Sequence, residues 1–152
     1  MTPMVRHPGG VLADDHRGKI VVAMCELGVL WRFESDDAAG VLRRRRVFLA
    51  RLEDHPGWSL DTYAAKIIFT ELVTNAMRHA PGPVRIVLEC DGRQVALRIT
   101  DRGPGFVFAP RLPPDAMSES GRGLFLVSKM APSVRVEHLA SGTAVVATLP
   151  RS

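Results

Sequence analysis

The stretch "ELVTNAMRHA", residues 71–80, combines an apolar helical pattern with polar side chains that share one edge. Glu71, Asn75 and Arg78 recur at spacings of four and three residues, so at about 100° per residue they fall within about 60° of one another on a helix. A carboxylate and a carboxamide one turn apart present hard oxygen atoms of the kind that Mg²⁺ prefers. The same spacing is typical of an ordinary amphipathic surface helix, so this stretch alone leaves both interpretations open.

The whole chain has the size and composition of one soluble globular domain. Its 152 residues are 46% hydrophobic and 24% charged, which suits a single packed core. No run approaches the ~20 apolar residues of a membrane span, and none has the basic start of a signal peptide, so we expect a cytoplasmic protein with no membrane partner. Cys25 and Cys90 lie in apolar runs without CxxC spacing, which predicts buried thiols rather than a disulfide or zinc site.

The charge balance permits several classes of partner. The net charge of +4 arises from 20 Lys and Arg against 16 Asp and Glu, and it is compatible with nucleotide, nucleic-acid or acidic protein partners. The one local concentration is "RRRR", Arg43 to Arg46, which lacks the interleaved aromatic residues of a base-stacking surface. It predicts either a solvated helix face or a docking site for an acidic partner, and we expect no direct nucleic-acid contact.

Hydrophobic periodicity and turn residues predict a single domain over residues 19–152, preceded by a flexible tail over 1–18. The predicted order is strand, helix, helix, strand, strand, loop, helix, strand, strand. This order describes an α+β two-layer sandwich in which three helices cover one face of a mixed, largely antiparallel sheet.

The boundaries follow from capping residues and breakers. The first helix begins after Ser35 and runs to about residue 54, with Gly40 as its weak point, and the second spans about Leu60 to His79. The third, "GRGLFLVSKMA", begins through glycines. Before the first helix, "KIVVAMCEL" and "GVLWRFE" predict one or two strands. The later predicted strands are "VRIVLECD" and "QVALRITD", joined by an Asp91-Gly92 turn, and then "VRVEHL" and "TAVVATL".

The segment "DRGPGF", residues 101–106, stands where a predicted strand ends. Asp101 is able to accept a hydrogen bond from an exocyclic amine such as that of adenine, and Gly103 and Gly105 allow close backbone approach. Asp and Gly also make ordinary turns, so the motif by itself is weak. The Pro- and Gly-rich segment 102–120 that contains it predicts a long, mobile, functional loop.

The segment "GRGLFLV", residues 121–127, places Gly121 and Gly123 at a predicted helix start. Backbone N–H groups and the helix dipole favour phosphate at such a position, and Arg122 adds positive charge. A flexible junction between loop and helix is the alternative. The segment lacks the GxGxxG spacing of a dinucleotide site, and the chain contains no GxxxxGK[ST] phosphate loop.

These segments, taken in order, describe one pocket. Asp101 would recognise a base, Glu71 and Asn75 would supply the catalytic and metal-binding groups, the third helix would hold phosphates, and the proline-rich loop would close over them.

With these motifs, the sequence resembles the GHKL, or Bergerat-fold, ATPases, the superfamily of gyrase, heat-shock chaperone ATPases and sensor histidine kinases. The resemblance covers about residues 30–150. "ELVTNAMRHA" is similar to the N box, "DRGPGF" and "GRGLFLV" to the two glycine boxes, and "SGT" at 141–143 to the terminal threonine motif. The short chain and the amino-acid sequence of its N box most resemble the stand-alone serine/threonine-protein kinase anti-sigma factors of bacterial partner-switching systems.

The resemblance implies roles for individual residues. Glu71 would be the general base, Asn75 the Mg²⁺ ligand, Asp101 the adenine contact and Thr143 a water-mediated adenine contact. The implied ATP-binding set is completed by Arg78, Gly103, Gly105, Gly121, Arg122, Gly123 and Leu124.

The resemblance also implies cofactors and partners. Such proteins use ATP and Mg²⁺, bind a sigma factor in one state and phosphorylate a serine on a small STAS-type antagonist in another, usually as homodimers. Their first helix commonly contributes to these interfaces, so Arg43, Arg44 and Arg46 become the predicted docking residues. His79 is expected to be a structural residue at a helix end.

One departure from the family pattern supports a second hypothesis. Members with kinase activity often carry a basic residue just before the second glycine box, whereas this chain has Glu119 between two serines. A carboxylate near phosphate is repulsive, which favours an ATP-sensing regulatory module of the same fold without phosphoryl transfer. A small basic α/β domain that binds no nucleotide is a third interpretation.

Overall fold

The computed structural model describes residues 12–15, 19–22, 28–36, 38–54, 59–80, 82–91, 93–105 and 122–152. Within these ranges, four helices accompany a five-stranded sheet and a separate two-stranded pair. The strands are β1 Leu12–Asp15, β2 Lys19–Val22, β3 Gly28–Ser35, β4 Val84–Cys90, β5 Val95–Asp101, β6 Val134–Leu139 and β7 Gly142–Thr148. The helices are α1 Ala38–Leu42, α2 Arg45–Glu53, α3 Thr62–His79 and α4 Arg122–Met130.

The main sheet has the strand order β3-β4-β5-β7-β6. Every neighbouring pair among these described strands is antiparallel, so the α+β two-layer architecture is confirmed with an antiparallel rather than mixed sheet. β1 and β2 form their own antiparallel pair. The sequence did not predict β1, which lies inside the segment 1–18 expected to be a tail; residues 1–11 and 16–18 lie outside the described ranges.

Asp91 forms the turn between β4 and β5, where its sequence position predicts a hairpin. Its Oδ1 accepts hydrogen bonds from the backbone amides of Arg93 at 2.9 Å and Gln94 at 2.8 Å, a local bonding pattern that competes well with regular structure in turns. The resulting register pairs Cys90 with Val95, so alternating residues of both strands face the helices.

The predicted first helix is divided into α1 and α2 by a turn at Arg43 and Arg44. The amide of Arg44 bonds to the carbonyl of Val41 at 2.9 Å, a three-residue spacing that tightens the chain and ends the α-helical ladder. The break therefore falls beyond Gly40, the position that helix propensity marks as weak. Within the described ranges, the helical layer has four segments in place of the predicted three.

Helix α3 corresponds to the second predicted helix and is confirmed almost residue for residue. Asp61 caps its N-terminus, because the Asp61 Oδ1 accepts a hydrogen bond from the amide of Ala64 at 2.9 Å. The preceding backbone is tied to the end of the chain, since the Asp61 amide donates to the carbonyl of Pro150 at 2.9 Å. The buried face of α3 consists of Ala64, Ala65, Ile68, Phe69, Leu72, Val73 and Ala76.

The core lies between this face of α3 and the helix side of the sheet. The rings of Phe48 and Phe69 stack with centroids 4.7 Å apart, and Trp31 on β3 lies 6.3 Å from Phe48, so aromatic contacts join two helices to the sheet. Cys90 is buried as predicted, whereas Cys25 lies outside the described residues. Among the helices of the described ranges, none combines the length and apolarity that a membrane crossing requires.

Candidate functional site

The carboxylate of Glu71 on α3 lies against the first turn of α4. A Cβ placed on Gly123 would be 2.1 Å from Glu71 Oε2 and 3.0 Å from Glu71 Cδ, so this approach requires a residue without a side chain. Gly123 follows Arg122, the first residue of α4, where backbone N–H groups have no partner inside the helix. Two motifs that are far apart in the sequence are therefore adjacent in space.

Asn75 and Arg78 continue along α3 from Glu71. Asn75 is half-buried, one turn after Glu71, and Arg78 is exposed in the last turn. Glu71 and Asn75 offer one carboxylate and one amide oxygen, and the described residues contain no group of three or more His, Cys, Asp or Glu able to hold a metal ion. That donor set fits Mg²⁺, which keeps several waters and takes few protein ligands together with substrate phosphates.

Glu71, Asn75 and Arg78 form the Glu71 cluster with the first turn of α4. A second cluster, the Asp101 cluster, forms where α3 ends beside the end of β5. A Cβ on Gly103 would lie 3.0 Å from the Cβ of Ala80 and 3.2 Å from the carbonyl oxygen of His79. The Gly103 amide donates a hydrogen bond to Asp101 Oδ1 at 2.7 Å. His79 is the last residue of α3 and is exposed, at the helix-end position that the sequence predicts for it.

Asp101 is half-buried, and its ionisation is sensitive to that environment. Burial raises the pKa of the Asp101 carboxyl above its ordinary value, although the hydrogen bond from Gly103 and the nearby His79 act in the opposite direction. A carboxylate has acceptor capacity on both oxygens. With Oδ1 holding the Gly103 amide, Oδ2 retains the capacity to accept a hydrogen bond from a ligand.

Thr143 completes this second cluster from β7. It pairs directly with Asp101 across β5 and β7 and is only 1% exposed. Its Oγ1 donates a hydrogen bond to the carbonyl oxygen of Gly103 at 3.0 Å, so toward a ligand or water the hydroxyl acts as an acceptor. The preceding Gly142 lies close to the backbone at the end of β5, where a Cβ on Gly142 would be 1.9 Å from the carbonyl oxygen of Asp101.

His138 on β6 also belongs to this cluster, and it is a residue that the sequence analysis missed. A Cβ on Gly105, whose φ is +84°, would lie 2.6 Å from His138 Nδ1 and 2.8 Å from Thr143 Oγ1. No local sequence pattern marks His138 as a site residue. Only the pairing of β6 with β7 brings it to the site.

The remaining predicted residues of the second glycine box differ in their exposure to solvent. Arg122 is exposed at the start of α4, whereas Leu124 is half-buried and packs against the hydrophobic core. Gly121 and Glu119 lie outside the described residues, as do residues 106–120 of the expected lid.

The arginine run divides into exposed and engaged side chains. Arg43 and Arg46 are exposed, while the guanidinium of Arg44 lies 4.8 Å from the ring centroid of Phe33. Arg45 donates a hydrogen bond at 3.1 Å to a threonine hydroxyl of α3. Of the three predicted docking residues, Arg43 and Arg46 therefore have the more accessible charges.

Comparisons with known proteins bear on the domain that carries this site. A family model described as a histidine kinase-like ATPase domain matches residues 35–149. Among solved structures, the Acinetobacter baumannii histidine kinase AdeS is similar at 15% identity, covering 79% of this chain and 68% of that chain, with a TM-score of 0.47. A comparison with curated protein sequences found no match.

The contact between Glu71 and Gly123 predicts a non-additive effect of substitution. Replacing a helical glycine by alanine usually stabilises a protein by roughly 0.5–1 kcal/mol. In the wild-type chain the new methyl group of Gly123→Ala must displace the Glu71 carboxylate, so we expect less of this gain than in a Glu71→Ala background. Urea unfolding of the two single variants and the double variant measures the coupling; equal effects of Gly123→Ala in both backgrounds would contradict the contact.

The raised pKa of Asp101 predicts a pH-dependent effect of Asp101→Asn. A raised native pKa gives a stabilising contribution that is present at low pH and is lost as pH rises through that pKa. Asparagine keeps an oxygen for the Gly103 amide but does not titrate. The unfolding free energy of Asp101→Asn relative to wild type should therefore become more positive between about pH 3 and about pH 7. A difference that stays constant or falls, measured by denaturation at each pH, would show that burial does not govern this carboxyl.

Proposed function

Because this chain belongs to the family of histidine kinase-like ATPase domains and has the antiparallel sheet and helix layer of the GHKL type, we propose that it binds Mg-ATP between the Glu71 and Asp101 clusters. The observation that carries the proposal is the contact of Glu71 with Gly123. It brings a carboxylate to the start of α4, where helix N–H groups favour phosphate.

The acceptor atoms of the Asp101 cluster support the adenine part of this proposal. Asp101 Oδ2 would accept from the exocyclic amine of adenine, and the Thr143 hydroxyl, whose proton is used by Gly103, would accept from a bridging water. Guanine carries a carbonyl where adenine carries its amine, so the same carboxylate would repel it. This cluster would thus select ATP over GTP.

The phosphates would lie toward the start of α4, with the exposed Arg122 adding positive charge. Asn75 would hold Mg²⁺ through its amide oxygen, and the bound ion would neutralise phosphate charge. Glu71 would then accept the proton of an attacking hydroxyl. The hydroxyl oxygen would bond to the γ-phosphorus while the bond from the γ-phosphorus to the β-phosphate oxygen breaks, releasing ADP.

We propose further that the acceptor is a serine on a STAS-type antagonist and that the protein, as a homodimer, sequesters a sigma factor. The sequence of residues 71–80 supports this proposal through its resemblance to the N box of such kinases. The accessible charges of Arg43 and Arg46 support it as well, because they suit an acidic partner surface. The alternative, an ATP-sensing module without transfer, is favoured by Glu119, whose carboxylate just before the second glycine box would oppose phosphate.

Glu71→Ala separates binding from transfer. We expect it to keep Mg-ATP binding by calorimetry and to lose roughly 10²–10⁴-fold in transfer from γ-labelled ATP to STAS-type proteins of the host. Glu53→Ala, an exposed carboxylate on α2, is the matched control and should transfer like wild type.

Each contrary result is informative. Transfer by Glu71→Ala at the wild-type rate would overturn its role as base. Mg-ATP binding by wild type that alters partner affinity without a phosphorylated product would favour the sensing module, and the absence of any Mg-ATP binding by wild type would overturn the nucleotide site itself.

A further inference from the structure

His138 lies on β6, the edge strand of the described sheet, level with the second cluster of the site. The strand register pairs His138 with Thr143, and Thr143 with Asp101. Directly paired residues on neighbouring strands project to the same face of a sheet. The three side chains therefore form one row across β6, β7 and β5.

The imidazole of His138 packs against the backbone of Gly105. A Cβ on Gly105 would be 2.6 Å from Nδ1 and 2.7 Å from Cε1 of the ring, so the ring occupies the space next to the glycine. Gly105 has a φ of +84°, a conformation in which glycine has no steric cost but much freedom to move. The ring lies on one side of the glycine, while His138 as a residue is exposed.

The segment from Gly103 to Gly105 is thus held at both ends. At Gly103 the amide donates to Asp101 Oδ1 and the carbonyl oxygen accepts from the Thr143 hydroxyl. At Gly105 no side chain is available to anchor the chain, and the neighbouring side-chain atoms belong to the ring of His138 and the hydroxyl of Thr143.

We propose that His138 is a positioning residue for the nucleobase end of the site, acting through Gly105. By holding the glycine segment in place before a ligand arrives, the ring reduces the conformational freedom that is lost when a base binds. This inference rests on the proposed nucleotide function of the same site. It adds a residue on the edge strand whose role is to preorganise the segment from Gly103 to Gly105.

The test compares Mg-ATP binding by calorimetry in three variants of the full chain. His138→Ala should weaken binding about five- to tenfold, which is the scale of roughly one ordered contact. His138→Phe keeps a planar ring against Gly105 and should stay within about twofold of wild type. Leu139→Ala is the matched control, because Leu139 is the next residue of β6, is 43% exposed and projects to the other face.

A second ligand separates positioning of the base from general damage to the fold. Inorganic tripolyphosphate with Mg²⁺ carries the phosphates of ATP without a base, so its affinity should be the same for His138→Ala and wild type. Equal weakening for ATP and tripolyphosphate, or equal weakening by Leu139→Ala, would overturn the proposal.

The remaining outcomes are also decisive. If wild type binds Mg-ATP and His138→Ala binds it equally well, or if His138→Phe is as weak as His138→Ala, the positioning role is wrong while the proposed function stands. If wild type binds no nucleotide, the proposed function fails, and the inference fails with it.

Discussion

Burial of one face of α3 against the sheet fixes the rotation of that helix about its axis. The face comprises Ala64, Ala65, Ile68, Phe69, Leu72, Val73 and Ala76. Once these side chains are buried, Glu71 must lie at the border toward α4, where Gly123 admits its carboxylate. The same helix ends with Ala80 against Gly103 at the end of β5. A single packed helix thereby sets the relation between the two clusters of the site.

The magnitudes show why packing determines this arrangement. A fully buried Ile, Leu or Phe side chain contributes roughly 1.5–3 kcal/mol, and α3 buries several of them, whereas a typical hydrogen bond at the border contributes about 1 kcal/mol. Packing of the apolar face therefore fixes the position of α3, and the polar groups of the site contribute little to it. This leaves Glu71 and Asn75 available for a ligand, and it allows Asp101 to remain half-buried despite the cost of desolvating its charge.

Local patterns were sufficient to predict the helix that carries Glu71, the turn at Asp91 and the antiparallel hairpins, because each depends on periodicity or on turn residues close in sequence. The motif order also predicted that the glycine boxes lie beside α3, and the structure places Gly103 against Ala80 at the end of the helix and Gly123 against Glu71 in its middle. The break at Arg44 was missed because helix propensity does not report how a helix packs. His138 was missed because only the pairing of β6 with β7 brings it beside Gly105.

The most direct test of this account is a crystal structure of the protein with Mg²⁺ and a non-hydrolysable ATP analogue. We expect the adenine amine on Asp101 Oδ2, the Gly103–Gly105 segment beside the base with His138 behind it, and the phosphates between Glu71 and the first turn of α4. A base bound near Glu71, or a nucleotide bound away from both clusters, would contradict it.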